Sequence, residues 1–128
     1  MSSSLRTPLG RARGFGAAKS GTGHFIAQRV TAIALALLAP YLFIMAAVEL
    51  RAGFASAYHF IAQPIIAAPL FVFLLAGLYH MMIGMQVVIE DYIQKPGSKA
   101  ALLILNGFLV VALAVAGGYA ILSISLGV

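Results

Sequence analysis

The chain contains no cysteine, which excludes a disulfide framework, thiolate zinc sites, iron–sulfur clusters ligated by this chain and cysteine nucleophiles. Charge is almost as scarce. Only 9% of the 128 residues are charged, eight of them basic and three acidic, against about 25% in an average soluble domain. So few charged side chains cannot cover the surface of a water-soluble core of this length. Hydrophobic residues make up 62% of the chain and the mean hydropathy is +1.04, which sets aside the soluble and disordered classes. The composition is that of an integral membrane protein. In a soluble protein the net charge of +5 would suggest nucleic acid. Here its placement along the chain matters more than its sum, and no nucleic-acid partner is expected.

Three apolar runs predict an all-α fold of three transmembrane helices, built to form part of a multi-subunit helix bundle. Residues 1–28 are rich in Gly, Ser and Arg and read as an N-terminal arm. The membrane domain takes in residues 29–128, with spans at about 30–48, 65–89 and 100–126. The first span, VTAIALALLAPYLFIMAAV, is uncharged, and nineteen residues at ~1.5 Å each cover a bilayer core of about 30 Å. Pro40 lies in its middle, a fault tolerated among neighbouring helices. Lys and Arg fall unevenly about these spans. Arg6, Arg11, Arg13, Lys19 and Arg29 flank the first span on one side, and Lys95 and Lys99 in the QKPGSK loop lie on the same side, whereas the other face has Arg51 alone. The positive-inside rule then puts the N-terminus in the cytoplasm and the C-terminus outside.

His80 is the only ionisable side chain well inside a span. Ten residues before Glu90, it lies ~15 Å from the cytoplasmic end, near the midplane. A lone imidazole in hydrocarbon is costly unless something bonds it. A histidine bonded to a neighbouring helix satisfies that requirement, and so does a haem ligand. Gly77 and Gly84 fall roughly 60° and 40° from His80 on the helix surface, leaving a slot without side chains. Such small-residue spacing serves plain helix packing and also admits a porphyrin. If haem is bound, a second axial ligand must come from another chain. Asp91 returns to within about 20° of the His80 face, and Tyr92 beside it carries a phenol able to donate to a carbonyl. The same pair also suits a plain membrane interface.

The stretch HMMIGMQVVIEDY, His80 to Tyr92, resembles the signature of the smaller hydrophobic membrane anchor of succinate dehydrogenase, respiratory complex II. It departs in placing Gln86 two residues after Gly84. The segments QRVTAIAL, Gln28 to Leu35, and TPLGRARGFGAAKSG, Thr7 to Gly21, are similar to alphaproteobacterial members. The resemblance covers nearly the whole chain. It implies that His80 supplies one axial ligand to the iron of haem b, the other coming from the larger cytochrome b anchor of the same complex. It implies that Tyr92 bonds a ubiquinone carbonyl with Asp91 as acidic neighbour, and that Arg29 lies near the haem propionates and the quinone. Gly77 and Gly84 would form the haem slot. His24 stands five residues before Arg29, where some members place a histidine six before; a propionate role and a surface role are both open. His59 matches nothing in the family. FAD and iron–sulfur clusters would belong to the flavoprotein and iron–sulfur partner subunits only, and the location would be the bacterial inner membrane. A fumarate reductase anchor using menaquinol, or a cofactor-free three-span channel or transporter component with His80 as proton relay, are the competing readings.

Overall fold

The computed structural model describes Thr7, Leu9 and residues 19–127, apart from the side chains of Lys19, Ser20 and Leu50. Arg6, Arg11 and Arg13, on which the charge asymmetry leans, lie outside the described residues, as does most of the TPLGRARGFGAAKSG stretch. Four α-helices follow in order: α1 Lys19–Glu49, α2 Phe54–Ala62, α3 Pro64–Tyr92 and α4 Pro96–Leu126. No strand occurs among the described residues. The fold is all-α, and α1, α3 and α4 are each long and apolar enough to cross a membrane. The chain is a multi-pass membrane protein.

Helix ends are set by backbone chemistry more than by hydropathy. Pro64 and Pro96 occupy the first positions of α3 and α4, where a missing N–H costs nothing and a fixed φ favours the first turn. Gly53, at φ 99°, takes a conformation open in practice only to glycine and turns the chain into α2. Lys99 donates its Nζ to the Glu90 carbonyl at 2.9 Å, capping the C-terminal turn of α3 from the start of α4. Because polar residues do not end a helix, α1 begins at Lys19, inside the stretch read as an arm, and continues through Pro40. The linker after the first span likewise holds a helix, α2, that hydropathy alone did not separate.

The three long helices form a layer. α3 is central, α1 packs on one side of it and α4 on the other, and α1 and α4 do not touch one another among the described residues. α2 lies across one end against all three. The central position of α3 is visible in its buried residues, Ile66, Ala67, Ile83 and Ile89. On the α4 side, Gly117 and Gly118 admit Leu74 and Phe71: a Cβ at Gly117 would come within 2.8 Å of the Leu74 side chain. Asn106, 9% exposed, donates Nδ2 to the Met82 carbonyl at 3.0 Å. Elsewhere large apolar side chains such as Leu37, Phe43, Phe108 and Val115 face outward, a surface that suits lipid or neighbouring helices and not water.

Candidate functional site

The antiparallel pairing of α1 with α3 brings Gln28 and Thr31 against His80 from roughly fifty residues earlier in the chain. Thr31 Oγ1 lies 2.8 Å from the Ala27 carbonyl, four residues back. That carbonyl takes the hydroxyl's single hydrogen, the usual bond of a threonine within a helix. Its lone pairs are thereby left to accept, and His80 Nδ1, at 3.0 Å, donates to them. On the other ring nitrogen the Gln28 amide Nε2 donates to His80 Nε2 at 3.2 Å. Both contacts select one tautomer, with hydrogen on Nδ1 and a lone pair on Nε2. Gln28 Oε1 is buried without a partner.

His80 borders a groove of about 640 Å³ between α1 and α3, lined also by His24, Phe25, Gln28, Arg29, Gly84 and Val87. The order along α3 follows helix geometry, since positions 80, 84 and 87 share one face. Gly84 keeps the floor low; a Cβ there would lie 3.8 Å from Gln28 Nε2. The Arg29 guanidinium stacks over the Phe25 ring, 5.1 Å from its centroid. A stacked guanidinium keeps its in-plane N–H donors free for an anion. His24, exposed, lines the same groove.

Four of the residues singled out from sequence, His24, Arg29, His80 and Gly84, thus share one groove. Gly77 does not line it. Leu35 lies 3.6 Å from its Cβ position, and it borders a separate apolar groove of about 540 Å³ with Met81 and Gly117. Tyr92, 79% exposed, borders a third groove of about 450 Å³ between α3 and α4, together with Asn106. The reason is angular: twelve residues carry Tyr92 about 120° around the helix from His80. The Asp91 side chain is exposed, and its carbonyl accepts from Gln94 Nε2 at 3.3 Å. His59 is at the opposite end, its ring edge-on to Tyr58 with centroids 6.2 Å apart. Gln28 and Thr31 were not singled out as partners of His80. Their signal was spacing: with His24 they form an apolar helix's one polar stripe at 24, 28 and 31.

Among the described residues no three His, Asp or Glu side chains converge. The donor set around His80 is therefore one imidazole lone pair, with a guanidinium and a second imidazole along the groove. Such a set is too small to hold a bare metal ion. It suits an iron whose equatorial ligands belong to a macrocycle with anionic substituents.

Residues 3–116 match the family of succinate dehydrogenase/fumarate reductase transmembrane subunits. The chain belongs to that family. It is 38% identical over 93 residues to the succinate dehydrogenase hydrophobic membrane anchor subunit of Rickettsia bellii, covering 73% of this chain and 74% of the relative. It is 32% identical over 123 residues to the subunit of that name from Paracoccus denitrificans, covering 94% and 93%. No solved structure matches it. Family membership together with these relatives makes the chain a membrane anchor subunit of succinate dehydrogenase and displaces the channel or transporter component as its class.

Proposed function

We propose that this anchor docks the flavoprotein and iron–sulfur subunits of a succinate:quinone oxidoreductase, supplies His80 as one axial ligand to a haem b shared with the larger cytochrome b anchor subunit, and forms part of the ubiquinone-reduction site. The observation that carries the reading is the placement of His80, held between Gln28 and Thr31 in contacts that fit the Nδ1–H tautomer, beside a groove that also holds Arg29 and His24. Haem, when bound, supplies one-electron redox chemistry within the membrane. Arg29 and His24 would meet its propionates, with the Arg29 donors turned outward by stacking on Phe25. Gly84 adds no side chain beside the Gln28 amide that contacts Nε2.

Tyr92 and Asp91 would serve the quinone. They lie about 18 Å along α3 from His80, at the end that carries Lys95 and Lys99. The exposed Tyr92 phenol donates to a quinone carbonyl, and the exposed Asp91 carboxylate stands at the aqueous edge, where protons for quinone reduction enter. On this reading that end faces the cytoplasm of a bacterial inner membrane, and the C-terminus of α4 faces the periplasm, as the positive-inside rule requires. The named relatives favour succinate oxidation over fumarate reduction as the physiological direction.

The test is a dithionite-reduced minus oxidised spectrum of the complex purified through this subunit, wild type against His80→Ala. The expected result is a b-type signal that is lost or strongly altered in the variant. An unchanged signal removes His80 as ligand and leaves only the anchoring role.

A further inference from the structure

The bonds to His80 on either side of its ring are unequal in what they can do. Thr31 is fixed. Its hydroxyl is tied back to Ala27 at 2.8 Å and lies 3.2 Å from the Gln28 carbonyl, so its lone pairs point to His80 Nδ1 whether or not anything occupies the groove. Gln28 is a longer side chain with a buried, unpartnered Oε1. It sits on the groove side of the ring, on the nitrogen a ligand would need. Leaving His80 costs it a single bond.

We infer that Thr31 is the positioning residue of the haem site: it holds the Nδ1–H tautomer and the ring plane of His80, and so decides which nitrogen faces the iron. The inference rests on the reading of His80 as axial ligand. Its physical content is that of a second partner behind a ligating histidine. An acceptor on the far N–H fixes the tautomer, stops the ring from turning and increases electron donation from the ligating nitrogen. Here the acceptor is a threonine on a different helix, so the orientation of a ligand on α3 depends on the register of α1. The Gln28 amide is the displaceable partner; it keeps Nε2 hydrogen-bonded inside the membrane and yields it to a stronger acceptor of the lone pair.

The experiment compares wild type with Thr31→Val, Thr31→Ser and His80→Ala in the whole complex. It measures haem per flavin, the midpoint potential of the haem and the low-spin ferric EPR spectrum. Valine keeps the shape of threonine and removes the acceptor; serine restores it. In Thr31→Val, haem affinity falls by about 10–100-fold, the typical effect of losing such a partner. The potential of retained haem rises because ferric iron loses donation, and the EPR g values move because the ring is free to turn. In Thr31→Ser all three readouts return toward wild type. A Thr31→Val complex with wild-type potential and EPR spectrum overturns the inference while leaving His80 as ligand, provided that His80→Ala abolishes the signal. If His80→Ala keeps the signal, the ligand reading itself is what fails. Equal loss of haem in the valine and serine variants indicates disturbed α1 packing and also overturns the role assigned to the hydroxyl.

Discussion

Asn106 gives the layer its one buried interhelical polar contact from α4 among the described residues, and its contribution follows from its surroundings. The donor is Nδ2 and the acceptor is the Met82 carbonyl, 3.0 Å away and two residues beyond His80 on the central helix. That carbonyl is also the helical acceptor for the N–H four residues on, so removing Asn106 orphans nothing on α3. The cost is the bond alone. Between transmembrane helices such bonds average about 0.6 kcal/mol and reach about 1.7, far less than a buried polar contact is often assumed to give. The figure is small because helices separated within lipid find other partners.

Two substitutions divide the bond from the packing. Asn106→Leu removes the donor and keeps the bulk, so it should weaken the α3–α4 pairing by about three- to twenty-fold in its equilibrium, the range those energies span. Asn106→Ala also leaves a gap beside Met82 and should be weaker again. The chain lacks cysteine, so labels can be placed uniquely. With Ile65→Cys and Leu126→Cys, exposed and at the same end of α3 and α4, fluorophore pairs report helix separation as SDS is added to the anchor in mixed micelles. The expected order of resistance is wild type, then leucine, then alanine. A leucine variant at least as resistant as wild type would refute the argument, showing that the bond returns less than the desolvation of the amide costs.

Two further perturbations address the grooves. Gly84→Ala places its Cβ 3.8 Å from Gln28 Nε2, an ordinary contact, and should keep the haem spectrum, whereas Gly84→Leu fills the approach to His80 and should abolish it; equal spectra from the two would show that the groove is not the haem's path. Tyr92→Phe changes an exposed residue and should leave succinate oxidation by an artificial dye intact. Quinone reduction should fall about tenfold, the worth of one neutral hydrogen bond, and an unaltered quinone rate would remove Tyr92 from the quinone site.

Hydropathy read the number of apolar helices correctly, because burial in lipid is a property of composition. The helices run past the apolar segments because a helix stops where its backbone is interrupted. The run of Gly, Thr, His and Gln before Arg29 ends the apolar segment, yet α1 extends back to Lys19. Pro64 and Pro96 mark the true starts of α3 and α4. The 3.6-residue period grouped Gly77 and Gly84 with His80 on one helix. What the period lacks is the neighbour: Leu35 of α1 lies against Gly77 and leaves Gly84 to the groove. Thr31 and Gln28 were hidden for the same reason, since only the register of α1 on α3 makes them partners of His80.

That register also bears on why the proposed haem would be shared. In a closed bundle of three helices each helix buries a stripe against both others. Here α1 and α4 are kept apart by α3, so among the described residues α3 carries half of the buried side chains and α1 only Leu42. The residues that face His80 therefore stand on the helix with the least cover from its own chain. Arg29, Phe25 and His24 are all exposed beside the groove. Left to lipid, the Arg29 guanidinium and the His24 imidazole would cost several kcal/mol between them. A neighbouring subunit seated on the free side of α1 and α3 would enclose them, and on the proposed reading it would bring the second axial ligand from that side. The single-layer arrangement that leaves this chain incomplete as a bundle would leave room for the proposed haem to be held between two subunits.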